Sequence, residues 1–263
     1  SVRIKGELMN KIKYFVTIVL VVFSFYLTDR VMIYIDSKNP IMKSILDKKD
    51  DYYVKAVNAV IKDNTIIPGI NGKEVNEYKS FVKMEEFGSF NELYLKYNLI
   101  KPEVSLEDNK DKIIIKGNEK KRAVSFIIYN NELIEDYFNE NNIKYALIAN
   151  VNTVIKNNME YINGEKEHFS DLHSLLKKNK QDIKLCLKDY SLLSECQKYK
   201  YYIVNYSVDA SKNIMDTLNK INSGDIIFIN NSVSLDNIKL ILNEINKQDL
   251  KILYVKELID EKN

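Results

Sequence analysis

The sequence is poor in the residues from which many nucleotide and metal sites are built. Its 263 residues include seven glycines, two histidines and two cysteines. The glycine patterns GxGxxG and GxxxxGK[ST], whose backbones cradle phosphate groups, are both missing. The formal net charge of +2, from 39 basic and 37 acidic residues, gives no whole-chain attraction to nucleic acid or anionic lipid. We therefore expect neither a nucleic acid nor a nucleotide as partner.

One long apolar run is present, near the amino terminus. Residues Tyr14 to Leu27 carry no charged side chain. If Lys13 snorkels, the stretch from Ile12 to Thr28 reaches the lower end of the roughly 17 to 25 residues that cross a hydrocarbon core. No A-x-A cleavage pattern follows the run. We expect a membrane anchor that stays attached; a cleaved signal peptide and a buried helix are the alternatives.

The charges around this run predict its orientation. Arg3, Lys5, Lys11 and Lys13 precede it, against the single acid Glu7. Basic flanks stay on the cytoplasmic side of a membrane, so residues 30–263 are expected outside the cell. Residues 1–28 would then form a cytoplasmic flank and a single-pass transmembrane anchor. Met9 offers an alternative start for the chain.

Residues 29–120 mix short helical and strand patterns. Asn39 before Pro40 is typical of a helix start, since proline at the first helical position loses no needed donor. The Pro68-Gly69 turn lies among β-branched residues and predicts short strands. Ser89 with Glu92 is a capping-box pattern that predicts a short helix. We expect a small mixed α+β extension over this range.

From residue 121 onward, strand and helix patterns alternate regularly. The apolar runs that predict strands are Ala123 to Ile128, Ile143 to Ala149, Ile183 to Leu187, Tyr201 to Val204, Ile226 to Ile229 and Ile252 to Val255. Helical spacing is found at residues 131–141, 151–161, 169–179, 189–198, 211–221 and 234–247, the last with Ser234 as its cap. This alternation predicts an α/β fold with a mainly parallel sheet, open or barrel-like, over residues 121–263.

The carboxyl-terminal half resembles a known family in the order of its segments. The stretches "KRAVSFIIYNN", "NIKYALIANVNTVIKNN" and "SGDIIFINNSVSLDNIKLILNEINKQDLKILYVKELID" are similar to the polysaccharide deacetylase, or NodB-homology, family. The resemblance covers residues 121–260. It implies a distorted (β/α) barrel that removes acetyl groups from wall or chitin-like glycans with the help of a divalent metal such as zinc.

The acids that this resemblance requires are not found at their positions. The family's first strand ends in T-F-D-D-G, where one Asp is the catalytic base and the next is a metal ligand. Aligned on Ser125 and Phe126, these positions are Ile127 and Ile128, which can neither accept a proton nor bind a hard cation. A shifted register would place Asn130 and Asn131 there instead. Amides are not bases near neutral pH, so either alignment removes the catalytic base.

The histidines also depart from the family pattern. The resemblance requires two in H-[ST]-x-x-H and a third near the last strands, but His168 and His173 are five positions apart and Asn230 stands at the third place. Five helical residues turn by about 500°, so the two side chains would not share a helix face. We expect no cofactor. The alternative is a divalent metal held by His168 and His173.

The carboxyl ends of the predicted strands carry neutral polar side chains. Tyr129, Asn130, Asn131, Asn150 and Asn230 stand at these ends, where parallel α/β folds place their binding groups. Tyrosine rings can also stack on the faces of sugars. We expect these five residues to form a glycan-binding rim, and we expect no catalytic residue.

Cys186 and Cys196 are the only cysteines, in a C-x9-C spacing. One lies at a predicted strand end and the other near the end of the following helix. Such ends can approach within the roughly 4.4 to 6.8 Å between α-carbons that a disulfide needs. Outside the cell the bridge is chemically allowed, and the sequence leaves open whether it forms.

Together these features predict a membrane-anchored, cell-surface protein with a deacetylase-like fold and no catalytic activity. Its partner would be a cell-envelope glycan or another membrane protein. The alternative is an active, metal-dependent deacetylase that hydrolyses amide C–N bonds of N-acetylated glycans at a centre rebuilt around His168 and His173. A third interpretation is a purely structural partner of another membrane protein.

Overall fold

The computed structural model describes residues 14–26, 38–156, 159–164, 166–179, 184–189 and 191–262. The chain divides into two compact units. The first unit comprises residues 1–54 and 73–99, and the second comprises residues 55–72 and 100–263. This division differs from the predicted boundary at residue 120.

Short strands and helices alternate along most of the described residues. The strands are β1 (Val60–Lys62), β2 (Thr65–Ile67), β3 (Gly72–Val75), β4 (Tyr97–Ile100), β5 (Ile113–Ile114), β6 (Ala123–Ile128), β7 (Ala146–Ala149), β8 (Glu160–Asn163), β9 (Leu185–Leu187), β10 (Tyr202–Val204), β11 (Val208–Asp209), β12 (Ile226–Ile229) and β13 (Lys251–Ile252). The α-helices are α1 (residues 14–26), α2 (Pro40–Lys48), α3 (Glu77–Glu85), α4 (Glu132–Glu140), α5 (Phe169–Lys178), α6 (Leu193–Lys198), α7 (Ile214–Lys220), α8 (Leu235–Lys247) and α9 (Val255–Ile259). Short 3-10 turns lie at Lys49–Tyr52, Glu92–Tyr94, Glu107–Asn109 and Glu119–Lys121.

Helix α1 belongs to the predicted anchor, and its apolar side chains are exposed to solvent. Residues 12, 13, 27 and 28, which the predicted anchor includes, lie outside the described ranges. No helix within the described ranges combines the length and the apolar character that are needed to cross a membrane.

The first unit is a small mixed fold in which α2 and α3 pack beside the β3–β4 strand pair. The predicted start of α2 is confirmed, because the side-chain oxygen of Asn39 accepts a hydrogen bond from the N–H of Ile41 at 2.9 Å. The capping box predicted at Ser89 is wrong. Asn91 instead caps the following 3-10 turn by accepting from the N–H of Leu93 at 3.0 Å, since an asparagine side chain readily bonds the backbone two residues ahead.

The second unit is built on one curled, mainly parallel sheet. Its strand order is β1-β2-β5-β10-β9-β8-β7-β6-β12-β11, and β13 also pairs with β6. Strands β1 and β2 are antiparallel, while the other described pairs of this sheet are parallel. Side chains from strands across the whole sheet meet in a single inner cluster, as a half-barrel requires. The predicted mainly parallel α/β fold is confirmed.

Strand β6 shows how the curl divides the core into two layers. All six of its residues are buried. Ala123 and Ile127 point into the inner cluster, whereas Phe126 and Ile128 pack outside against Phe138 of α4 and other helix residues. Because successive side chains of a strand face opposite sides, neighbouring residues of β6 enter different environments.

Strands β2 and β5 explain why the second unit reaches into the predicted extension. Ile66 of β2 pairs in parallel with Ile114 of β5, and Ile114 pairs in parallel with Val204 of β10. All three side chains are fully buried in the inner cluster. These strands therefore continue the large sheet instead of forming a separate domain.

Two predicted elements of the second unit are wrong. The described part of residues 151–161 forms no helix: the chain turns after Asn150, and β8 then pairs in parallel with β7. Tertiary burial overrides the helical pattern here, because Tyr161 is fully buried beside Leu172 of α5. The strand predicted to reach Val255 ends at Ile252, since Val255 begins α9.

Helix α8 matches its prediction. Its residues Ile238, Ile241 and Ile245 are buried, and the hydroxyl of Ser234 accepts a hydrogen bond from the N–H of Asn237 at 3.3 Å. The 3.6-residue period and the capping serine were both readable in the sequence, so this helix required no tertiary information.

Candidate functional site

The carboxyl edge of the sheet brings the predicted rim residues together. Strand β6 lies between β12 and β7, and all three run in the same direction. The N–H of Tyr129 donates to the carbonyl oxygen of Ile229 at 2.9 Å, which carries the pairing beyond the strand ends. Residues 129–131 therefore lie beside Asn230, and Asn150 follows the neighbouring strand β7.

Asn131 serves the backbone around it. Its amide nitrogen donates to the carbonyl oxygens of Asn230 and Val233 at 2.7 and 3.1 Å, and its oxygen accepts from the N–H of Ile134 at 3.2 Å. Only 8% of the residue is exposed. The side chain thus caps α4 and ties it to the end of β12.

The other asparagines of the rim shape tight turns. Asn230 accepts at its side-chain oxygen from the N–H and the hydroxyl of Ser232, at 2.9 and 2.6 Å. Asn150 accepts from the N–H of Asn152 at 2.9 Å, and Asn130 has a φ of 51°, which asparagine tolerates better than most residues. Tyr129, with 42% of its surface exposed, presents its ring at this edge.

Beneath the rim, the positions that the alignment on Ser125 and Phe126 assigns to the family's two acids are occupied by buried hydrocarbon. Ile127 is fully buried in the inner cluster, and Ile128 is fully buried in the outer one. Tyr206 and Phe228, stacked with ring centroids 4.6 Å apart, pack against the same inner cluster. A hard divalent cation needs oxygen or nitrogen ligands, so these residues do not fit a metal.

The two histidines lie at separate places, one before α5 and one within it. His168 precedes the helix and is exposed, with its Nδ1 3.4 Å from an oxygen of Asp171. His173 lies within the helix, where its Nδ1 shares a 2.6 Å hydrogen bond with the hydroxyl of Tyr201. Burial lowers the pKa of His173 and raises the pKa of Tyr201 to about 12, so both side chains are neutral near pH 7. The hydrogen bond between His173 and Tyr201 therefore joins α5 to the segment before β10 and has a structural role.

In the ranges that the structure describes, no set of metal ligands gathers around these histidines. In the part of the chain that it describes, no group of three or more His, Cys, Asp and Glu side chains is arranged to hold a metal ion. Glu165, one of the acids near the histidines in sequence, lies outside the described ranges.

The two cysteines form a disulfide. Cys186 of β9 and Cys196 of α6 are bonded, and their α-carbons are 6.0 Å apart. Both residues are fully buried in an apolar cluster with Phe169 and Tyr201. The bridge fastens α6 to the outer face of the sheet.

A cavity of about 460 Å³ opens at the amino ends of β9 and β10, on the side of the sheet opposite the rim. The hydroxyl of Tyr202 donates to Glu107 at 2.9 Å, and the ammonium of Lys110 lies 2.5 Å from the other carboxylate oxygen. Both contacts lower the pKa of Glu107, with Lys110 the larger cause. Glu107 is therefore held as a charged, partnered group.

Among the described residues of this unit, Glu160 is the acid whose pKa is raised most clearly, a property found in many catalytic acids. Burial raises its pKa to about 7. Both of its oxygens, however, accept hydrogen bonds from the first N–H groups of α9. Glu160 therefore caps the start of α9 and holds this helix against β8.

The first unit contains a polar cleft that the sequence patterns did not reveal. Its volume is about 570 Å³, and Tyr53, Glu74, Asn76, Glu77, Tyr78 and Asn98 are among the residues that line it. The stretch "NEY" at residues 76–78 places three of these side chains together. Nothing in its spacing distinguishes it from an ordinary helix start.

Comparison with known proteins identifies the fold. No known family model matches the chain. The uncharacterized protein YlxY of Bacillus subtilis (strain 168) is 42% identical over 103 residues, which cover 38% of this chain and 32% of YlxY. The chain thus matches about a third of that relative's length.

Two solved structures cover most of the chain. One is BA3943 of Bacillus anthracis, a CE4 family pseudoenzyme, with a TM-score of 0.60 and 18% identity over 85% of this chain and 96% of that one. The other is a BA3943 mutant with restored enzymatic activity, with a TM-score of 0.59 and 17% identity over 85% and 99% of the two chains. The chain has the curled, mostly parallel α/β fold of the CE4 polysaccharide deacetylases. The predicted resemblance is confirmed for the fold.

Proposed function

We propose that this chain is a catalytically inactive, polysaccharide deacetylase-like protein that binds or scaffolds a cell-envelope glycan. Its amino-terminal apolar segment anchors it in the membrane, and the second unit lies on the outer side. The CE4 fold supports the deacetylase-like part of this proposal. The basic residues before the apolar run support the orientation.

The main support for a loss of catalytic activity is the burial of Ile127. This side chain enters the inner cluster at the strand end where the family resemblance places its acids. A base at that place must take a proton from water, and metal-assisted hydrolysis needs about three protein ligands around the cation. Isoleucine does neither, and its neighbours fill the space with apolar side chains.

The existence of a CE4 pseudoenzyme with the same fold supports this proposal, because the fold there persists without activity. Retention of glycan binding is supported by Tyr129 and by the turns that Asn130, Asn150 and Asn230 form at the carboxyl edge. A tyrosine ring offers an apolar face on which a sugar ring can stack, and the polar groups beside it can bond the sugar's hydroxyls.

The first experiment measures bound metal and acetate release. The full chain, purified and incubated with zinc, nickel or cobalt, is expected to retain no stoichiometric metal and to release no acetate from acetylated chitin-like or peptidoglycan oligomers. One tightly bound metal per chain, with acetate release abolished by His168→Ala or His173→Ala but kept in Lys166→Ala, would establish the active enzyme instead.

A second experiment measures binding to insoluble envelope glycan. The full chain is expected to co-sediment with it, and Tyr129→Ala is expected to weaken retention. Tyr97→Ala is the matched control, since Tyr97 is a similarly exposed tyrosine of the first unit. If the unmodified chain is not retained at all, the glycan proposal fails and a membrane-protein partner becomes the better hypothesis.

A further inference from the structure

The cleft of the first unit is an open one, bordered by two short strands and the segments next to them. Strands β3 and β4 pair along one side, α3 begins at Glu77, and the 3-10 turn Lys49–Tyr52 leads into Tyr53. The cleft volume of about 570 Å³ is large enough for one or two sugar rings. All residues that line it belong to the first unit.

Two tyrosines of the cleft are largely exposed and lie outside the apolar cluster of this unit. Tyr53 has 51% and Tyr78 has 65% of its surface exposed, and neither belongs to the apolar cluster of this unit. A tyrosine ring combines a wide apolar face with a polar tip, and such rings bind sugars by stacking or cations through the ring face.

A chain of hydrogen bonds holds the polar side chains of the cleft in place. Asn76 accepts from the N–H of Lys79 at 2.9 Å, and its amide nitrogen donates to the side-chain oxygen of Asn98 at 2.7 Å. Asn98 in turn donates to one carboxylate oxygen of Glu74 at 3.4 Å. These contacts connect Glu74 to Asn98 and Asn76 along one side of the cleft.

The cleft has an excess of negative charge. Asp50, Glu74 and Glu77 supply three carboxylates and Lys49 supplies one ammonium, which leaves a net charge of −2. The ammonium of Lys49 lies 2.7 Å from Glu77 and is therefore already engaged. Glu74 and Asp50 have no ion-pair partner among the described residues. A neutral sugar does not compensate this charge, whereas a protonated amine does.

We propose that this cleft binds an amino sugar whose amine is free and protonated. The sugar ring stacks on Tyr53 or Tyr78, and its ammonium group pairs with Glu74. An N-acetylated sugar has the same ring but no positive charge, so it binds more weakly. The inference rests on the proposed function and deepens it: the chain recognises glycan from which acetyl groups have already been removed by another protein.

The test compares two soluble oligosaccharides on the full chain. Calorimetric titration with a glucosamine tetramer is expected to show binding about fivefold tighter than with an N-acetylglucosamine tetramer, as one exposed ion pair allows. Glu74→Gln is expected to remove this preference, and Tyr53→Ala and Tyr78→Ala are expected to weaken binding of both oligomers.

Matched controls exclude general effects of charge and of aromatic loss. Glu85→Gln removes an exposed carboxylate of α3 outside the cleft, and Tyr97→Ala removes an exposed ring outside it. Both controls should bind as the unmodified chain does. Because every substituted side chain is partly or largely exposed, a melting curve for each variant suffices to confirm folding.

The outcomes separate this inference from the proposed function. If the chain co-sediments with envelope glycan but the three cleft variants bind both tetramers normally, the cleft is not the amino-sugar site, and the proposal of glycan binding is retained. Equal affinity of the unmodified chain for the two tetramers overturns the charge preference. If neither tetramer nor insoluble glycan binds, the proposed function itself fails.

Discussion

Glu160 on β8 accepts a hydrogen bond at Oε2 from the N–H of Val255, the first residue of α9, at 2.7 Å. Its Oε1 accepts from the N–H of Lys256 at 2.9 Å. One carboxylate therefore holds the start of the last helix against the sheet. Burial raises the pKa of Glu160 from 4.5 to about 7, and the two N–H donors offset only part of that rise.

This arrangement predicts a pH-dependent stability. Because the pKa of Glu160 is higher in the folded chain than in the unfolded chain, the folded state keeps its proton to higher pH. The stabilising contribution of Glu160 to the free energy of unfolding is complete below about pH 4.5 and is lost as the pH rises to about 7. Above about pH 7 it does not change further. The free energy of unfolding is expected to fall by about 3 kcal/mol over this window.

Urea unfolding at about pH 5 and about pH 8 measures this change. Glu160→Gln cannot ionise, so the difference between the two pH values should shrink in this variant. Glu140→Gln removes an exposed acid at the end of α4 and should retain the unmodified chain's difference. Equal pH dependence in both variants would contradict the assignment to Glu160.

The buried position of Ile127 predicts that an acid is not tolerated there. Ile127→Asp removes apolar contacts and leaves an unpaired charge in the inner cluster, which should lower the free energy of unfolding by about 3 to 5 kcal/mol. Ile127→Val should cost about 1 kcal/mol. Leu133→Asp on α4, where 64% of the leucine is exposed, is the control and should have little effect. An Ile127→Asp variant as stable as the unmodified chain would show that the barrel interior is open.

The disulfide predicts sensitivity to reduction. Intact mass under non-reducing conditions should show a monomer that lacks two hydrogens, and a reducing agent should lower the melting temperature. Closing a loop with a sequence separation of 10 stabilises the chain by about 2 to 3 kcal/mol. The double variant Cys186→Ser, Cys196→Ser should be less stable and unaffected by the reducing agent. Covalent dimers as the main species would argue against the intramolecular bridge.

The apolar run with its basic flank predicts membrane attachment. After cell fractionation the chain should sediment with membranes and resist extraction by salt, because apolar burial and not charge would hold it there. Mass spectrometry of the recovered chain should still contain a peptide that covers residues 14–26. A soluble species that begins near residue 30 would identify a cleaved segment instead.

Much of the second unit was predictable because its patterns are local. Strand β6 is an uninterrupted run of six buried residues, which the sequence shows directly. Helix α8 shows its apolar side chains at helical spacing after the capping residue Ser234, so it too can be recognised from a single segment. Ile127 and Ile128, at the positions that one alignment of the resemblance gives to the family's acids, were likewise readable from residue type, because no isoleucine can bind a cation or accept a proton.

The candidate sites depended on contacts between distant segments. The helix predicted at residues 151–161 failed because β7 and α5 bury Tyr161 in a strand. The amide of Asn131 donates hydrogen bonds to the carbonyl oxygens of Asn230 and Val233. These bonds could not be predicted from the sequence, because they form only when β12 lies beside β6.

The sequence by itself determined the alternating strands and helices, the absence of an acid at the end of β6 and the charge around the amino-terminal run. Only the tertiary structure decided that β2 and β5 extend the large sheet, that Cys186 bonds Cys196, and that Glu74, Asn98 and the two exposed tyrosines line one cleft. The physical reason is range: periodicity and caps act over a few residues, whereas strand pairing and clefts depend on side chains that the chain brings together from far apart.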